Sequence, residues 1–302
     1  VPQGSAEESS SQADPAALHT LLQQGLAHHH ANELAQAETL YQQVLVAEPD
    51  NVDALYLMGV IAVQVGQFVI AVELTDRALR VRPDIAEVHA NRGKAMDGLR
   101  RYEAALESFD AALRLKPEVA EVHANRGKAL LGLRRYAAAV EAFDRAIALE
   151  PDRAEVYCGR GNALAGMEKY DAAIASYDRA IALDAGHVEA HCNRGNALAA
   201  LKKYETAVAS FDAAIRLRPE FAGVHSSRGN ALYELGRYDD AVVSFDAAIR
   251  LKPEYAEALS NRGNALAALR RYDEAVASFD RALEIMPESA GAHGSRGNAL
   301  HG

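Results

Sequence analysis

One spacing governs this chain. Gly93, Gly127, Gly161, Gly195, Gly229, Gly263 and Gly297 stand 34 residues apart. Tyr102, Tyr136, Tyr170, Tyr204, Tyr238 and Tyr272 keep the same interval, as do Phe109, Phe143, Tyr177, Phe211, Phe245 and Phe279. The stretch AEVHANRGKA even recurs letter for letter at 86–95 and 120–129. A fixed period of this length marks an array of small units, none able to bury its apolar face alone, that must stack on one another. Prolines close most units, at Pro117, Pro151, Pro219, Pro253 and Pro287, with Ala185 as the exception. Upstream, Gly59, Phe68, Ala71, Ala78 and Pro83 fit one more divergent unit, and Gly25, Ala37, Tyr41 and Pro49 another. Units therefore start at 18, 52, 86, 120, 154, 188, 222 and 256, with the first half of a ninth at Ala290.

Each unit reads as two helices. In the unit 120–153, Val122, Ala129, Leu130 and Leu133 form an apolar face at helical spacing. Residues 132–135 turn the chain, and Tyr136, Ala139, Val140, Phe143, Ala146, Ile147 and Leu149 form a second face. Pro151 stops that helix, because its ring and missing N–H cannot continue one. Gly127, Ala139 and Ala146 leave room for close helix approach.

The pattern G-x8-Y-x2-A-x3-F-x2-A-x4-P at this period resembles the tetratricopeptide repeat family over residues 18–302. The resemblance implies an all-α fold, a right-handed superhelical solenoid of helix-turn-helix repeats whose first helices line a concave groove. The domain reading is a tail at 1–17, disordered or foreign to the native start, eight repeats over 18–289, and a truncated ninth at 290–302 consisting of a first helix only. The apolar run ALYLMGVIAVQVGQFVIAV at 54–72 approaches the length of a membrane span. In the repeat register it becomes helix, turn and helix instead, so no membrane partner is expected.

Within each first helix, counting from the unit start, the apolar core takes positions 3, 8, 10, 11 and 14. Positions 2, 5, 6, 9 and 13 lie on the other face by the same periodicity and are expected to line the groove. Position 9 is Lys94, Lys128, Asn162, Asn196, Asn230, Asn264 and Asn298; position 6 includes Asn91, Asn125, Asn193 and Asn261. Positions 5 and 13 are small, and position 2 is mostly glutamate. An amide carries donors and an acceptor together, so a row of them beside small neighbours suits the backbone of an extended peptide. Asparagine is a mediocre helix former, so its recurrence in mid-helix favours this reading over a merely solvated face. Lys94 and Lys128 place any acidic stretch of a target toward the N-terminal half.

Other tempting residues read as structural. Arg92, Arg126, Arg160, Arg194, Arg228, Arg262 and Arg296 at position 7 match in height the aspartates at position 25, Asp110, Asp144, Asp178, Asp212, Asp246 and Asp280. Ion pairs within or between repeats are expected, unless these arginines point free into the groove. His89, His123, His191, His225 and His293 share position 4 and sit too far apart, about 8–10 Å, to share a metal. His28, His29 and His30 point three ways on a helix. Cys158 and Cys192, the two cysteines, repeat one position and are expected to be free thiols; so few cysteines suit a reducing cytoplasm.

Net charge is −10, against the basic balance of a nucleic-acid binder. No phosphate-loop, zinc-protease or nucleophile-elbow motif occurs, so neither enzyme activity nor a cofactor or metal is expected. The sequence reads as a scaffold for a protein or peptide partner. The asparagine row also resembles that of the repeat arms of O-GlcNAc transferases and SPINDLY-like proteins, with Gly159, Ser227 and Ser295 breaking it at position 6. That likeness implies an alternative, a substrate-recruiting arm of a larger glycosyltransferase or sulfotransferase. The uncapped half repeat at the C-terminal end suggests end-to-end self-association.

Overall fold

The computed structural model of the protein describes residues 15–301, and every regular element among them is an α-helix. The helices fall into two units, one ending at Leu149 and the other starting at Glu150. The first contains α1 (Pro15–His30), α2 (Leu34–Ala47), α3 (Val52–Gln64), α4 (Phe68–Val81), α5 (Ala86–Gly98), α6 (Tyr102–Leu115), α7 (Ala120–Gly132) and α8 (Tyr136–Leu149). The second contains α9 (Ala154–Gly166), α10 (Tyr170–Leu183), α11 (Val188–Ala200), α12 (Tyr204–Leu217), α13 (Ala222–Glu234), α14 (Tyr238–Leu251), α15 (Ala256–Ala268), α16 (Tyr272–Ile285) and α17 (Ala290–Leu300). In both, each odd helix packs on the even helix that follows, and the pairs stack in chain order. α1 opens on Pro15, whose fixed φ and missing N–H suit a first helical position. The end of the expected tail is therefore helical, and residues 1–14 lie outside the described residues.

The turn inside each pair has one shape. The residue at position 15 adopts positive φ, 76° at Gly66 and 73° at Gly236, but also 58° at Arg100 and 56° at Arg134. Around Arg100, Arg101 N–H reaches Met96 O at 2.9 Å and Arg100 N–H reaches Asp97 O at 2.8 Å. These two bonds satisfy carbonyls that the end of α5 would otherwise leave bare. The 54–72 run is divided in this way between α3 and α4. No helix among the described residues is long and apolar enough to cross a membrane.

The core of a pair is an aromatic ring laid on a glycine. A Cβ added at Gly127 would sit 2.8 Å from the Phe143 ring, and Phe143 is fully buried. Burying such a side chain is worth about 1.5–3 kcal/mol, and only glycine lets the ring approach so near.

Between pairs, the position-7 arginines act as staples. Arg228 Nε donates to Asp212 Oδ1 at 2.6 Å, and Arg92, Arg194 and Arg262 repeat the bond at 2.6 Å to Asp76, Asp178 and Asp246. Arg126 does so to Asp110 at 2.7 Å, and Arg296 also pairs with Asp280. In these six bonds the aspartate belongs to the preceding repeat. Nη1 then reaches a serine of the arginine's own second helix, as Arg228 does with Ser244 at 2.6 Å. The position-4 histidines tie down the loops: Nε2 of His89, His123, His225 and His293 donates at 2.8 Å to the carbonyl of Pro83, Pro117, Pro219 and Pro287. At His191, Ala185 O takes that role at 3.1 Å.

Candidate functional site

On the first-helix face of the second unit the asparagines are bonded to one another. Asn193 Nδ2 donates to Asn162 Oδ1 at 2.9 Å, and Asn261 Nδ2 donates to Asn230 Oδ1 at 2.9 Å. Each bond runs from position 6 of one repeat to position 9 of the repeat before. Asn162 is the most occupied: its Oδ1 also accepts from Tyr177 Oη at 2.9 Å, and its Nδ2 donates to Glu189 at 3.0 Å. An amide so used has little left for a ligand. Asn125, Asn196 and Asn264 make no side-chain hydrogen bond among the described residues; Asn196 is exposed and the other two are half-buried. Asn298 lies exposed on α17.

Three hollows follow this face. The largest, about 780 Å³, is bounded by Glu189, Asn193, Asn196, Arg218, Phe221 and Tyr255. A second, about 380 Å³, has Asn230, Asn261 and Asn264 on its wall. A third, about 430 Å³, shares Asn261 and Asn264 with Glu257 and Ser260. Five of the predicted asparagines thus border open space in one unit.

In the first unit the row is different. Position 9 is occupied by Val60, Lys94 and Lys128, so the amide-to-amide bond has no acceptor. Asn91 is 5% exposed, and its Nδ2 has no partner among the described residues. Lys94 pairs with Glu121 at 2.5 Å, and Lys116 pairs with Glu87. The Lys116 bond holds the Glu87 carboxyl below its usual range. Lys94 is thereby neutralised, which removes half of the sequence argument for an acidic target here; Lys128 stays exposed. The second unit supplies cations that the reading missed. Arg218 borders the large hollow with no ion pair among the described residues, and Lys252 Nζ lies 5.0 Å from the Tyr255 ring centre. Both occupy position 31, in the loop between pairs, beyond the helix face on which the sequence argument was built. The column Arg82, Lys116, Arg218, Lys252 was the available signal.

Position 5 is divided. Ala124, Cys158 and Ser226 are buried between helices, and Cys192 is buried at the floor of the large hollow. Ala90 and Ser260 are instead half-buried and line hollows on this face. Burial pushes the Cys158 thiol up to about 12 and the Cys192 thiol up to about 11, with Glu189 adding to both. Both are free and protonated at neutral pH. His28 Nδ1 contacts Glu33 Oε2 at 2.5 Å and His29 Nε2 contacts Gln64 at 3.0 Å. Among the described residues no three His, Cys, Asp or Glu side chains are placed to hold a metal.

A family model described as tetratricopeptide repeat matches residues 22–84, 56–120, 91–154, 124–165, 158–220 and 227–293. YrrB, a TPR protein with an unusual peptide-binding site, is similar at 24% identity and a TM-score of 0.56, over 63% of this chain and 98% of its own. PilF of Pseudomonas aeruginosa is similar at 19% identity and 0.61, over 70% and 97%. The C-terminal part of a TPR repeat-containing protein from Cytophaga hutchinsonii is similar at 15% and 0.65, over 80% and 98%. At such identities the likeness is one of fold. No curated protein matches the chain.

Proposed function

The chain belongs to the tetratricopeptide repeat family, and from that premise we propose that it is a binding scaffold holding an extended polypeptide along its first-helix face. One observation carries the reading: Asn193 and Asn261 are braced by Asn162 and Asn230, while Asn196 and Asn264, one turn along, keep unused amides beside open hollows. Bracing fixes the row before a ligand arrives, which lowers the entropy lost on binding. Free amides at alternate repeats, Asn196 and Asn264, then offer paired donors and acceptors to a peptide backbone. YrrB, similar in fold, is described as having a peptide-binding site. The rings of Phe221 and Tyr255, with Arg218 set against the Asp184 and Glu189 carboxylates of the same hollow, add an aromatic flank of mixed charge that favours a target with aromatic side chains.

The test is an array of overlapping peptides probed with the purified chain, followed by anisotropy titration of the strongest binder. Asn196→Ala and Asn264→Ala are each expected to weaken it about tenfold, the loss of about 1.4 kcal/mol of hydrogen bonding, with the thermal midpoint unchanged. Unaltered affinity in the double variant sinks the proposal.

A further inference from the structure

Three departures from the repeat pattern coincide in the first unit. Position 24, aromatic in the other repeats, is Thr75, whose hydroxyl turns back to Ala71 O at 2.7 Å. Position 9, which supplies the amide acceptor at Asn162 and Asn230, is Val60. Asn91, the position-6 residue that would bond across to it, is therefore buried with Nδ2 unpartnered, resting near Gly59 at 3.2 Å from where a Cβ there would sit. A buried donor without an acceptor is a standing cost to the fold.

Beside it opens a hollow of about 180 Å³ between α3, α5, α6 and α7, with Asn91 in its wall and Tyr56, Val60, Ala90, Val119 and Val122 giving it an apolar lining. Its charges cancel internally, Glu87 with Lys116 and Lys94 with Glu121. An engineered apolar cavity of about 150 Å³ takes up benzene, so this one has room for a branched aliphatic or phenyl side chain. An apolar lining, no unbalanced charge and one unused N–H complement a neutral apolar residue together with its backbone carbonyl.

We infer that this hollow is an anchor pocket for one Leu, Ile or Phe side chain of the bound polypeptide, whose carbonyl accepts from Asn91 Nδ2 once the amide turns off Gly59. The inference rests on the groove reading and names the residue class that the first unit selects. Removing the donor, as in Asn91→Leu, weakens the anchor. Val60→Asn restores the missing rung and makes the lining polar, so it closes the site to an apolar group while leaving the helices intact.

The probes are N-acetyl-leucine methylamide, N-acetyl-phenylalanine methylamide and the aspartate analogue, titrated into the full chain and followed by NMR of side-chain amides and valine methyls. Saturable shifts at Asn91, Val60, Val119 and Val122 are expected for the first two, at least tenfold weaker for the aspartate compound. They are expected to vanish in Val60→Asn at unchanged helicity and melting temperature, and to weaken severalfold in Asn91→Leu. Absence of saturable shifts there, or shifts that survive in Val60→Asn, overturns the pocket. A peptide that depends on Asn196 and Asn264 while these methyls stay silent overturns the pocket and leaves the groove standing. Occupation by the leucine compound, with no peptide engaging the asparagine row, supports the pocket and defeats the groove.

Discussion

Arg228 belongs to the repeat that begins at Ala222, yet its Nε is bonded at 2.6 Å to Asp212, in the repeat before. Its other arm holds Ser244 at 2.6 Å, so one guanidinium joins three helices. A charged hydrogen bond contributes about 1.5–3 kcal/mol when sheltered, less where solvent reaches it. The Arg228 side chain is 25% exposed and that of Asp212 37%. Arg228→Ala is therefore expected to cost about 1–2 kcal/mol, read as a lower urea midpoint by circular dichroism. In a double-mutant cycle with Ser244→Ala the two losses overlap by about 1 kcal/mol; strict additivity would mean that the serine arm contributes nothing.

Gly127 and Gly59 occupy the same repeat position and are expected to answer oppositely to alanine. Alanine is favoured over glycine in mid-helix by about 1 kcal/mol. At Gly127 the new methyl strikes the Phe143 ring at 2.8 Å, and overpacking of this kind costs about 1–3 kcal/mol or more. At Gly59 it meets Thr75 Cγ2 at 3.3 Å and the end of Asn91 at 3.2 Å, which can give way. Gly127→Ala should lower the melting temperature and Gly59→Ala should hold or raise it. Equal falls would show that Thr75 fills its site as rigidly as phenylalanine does.

The helix pairs were legible because their signal is one of period: glycine, ring and proline recur where two helices must touch and stop. The arginine–aspartate staples were half legible. Equal height placed Arg228 near two aspartates, but only the stacking geometry selects Asp212 of the previous repeat. The asparagine row was legible as a row and not as a network. Which amides are consumed depends on cross-repeat pairs: Asn162 serves Asn193, whereas Val60 cannot serve Asn91. Arg218 escaped notice because it sits in a loop, where helical periodicity says nothing.

Tyr41 and Tyr177 both stand at the ring position, and both are buried. Tyr177 Oη has Asn162 as acceptor at 2.9 Å. Position 9 of the first repeat is Leu26, and the Tyr41 hydroxyl has no partner among the described residues. A buried hydroxyl without a partner costs about 1–3 kcal/mol. Tyr41→Phe is expected to raise stability by about 1 kcal/mol, and Tyr177→Phe to lower it by about 0.5–1 kcal/mol through loss of its hydrogen bond to Asn162. Thermal melts of the two variants decide it; stabilisation by both would show the Tyr177 bond to be worthless.

Cys158 and Cys192 set an alkaline limit on the second unit. Their folded values, about 12 and about 11, lie above the ordinary 9.0 because burial disfavours the thiolate. The unfolded chain ionises first as pH rises. The contribution is thus complete below the ordinary value of 9.0 and is lost as pH climbs through the folded values. Each thiol adds a slope approaching about 1.4 kcal/mol per pH unit in that window. Denaturant midpoints should fall from pH 9 toward pH 11 beyond the fall common to all variants, and Cys158→Ala with Cys192→Ala should flatten the excess. In parallel, neither thiol should react with Ellman's reagent at pH 8 until urea unfolds the chain. A rapid native reaction at either residue, or an alkaline slope unchanged in the double variant, would place the cysteines at a surface where the structure shows a core.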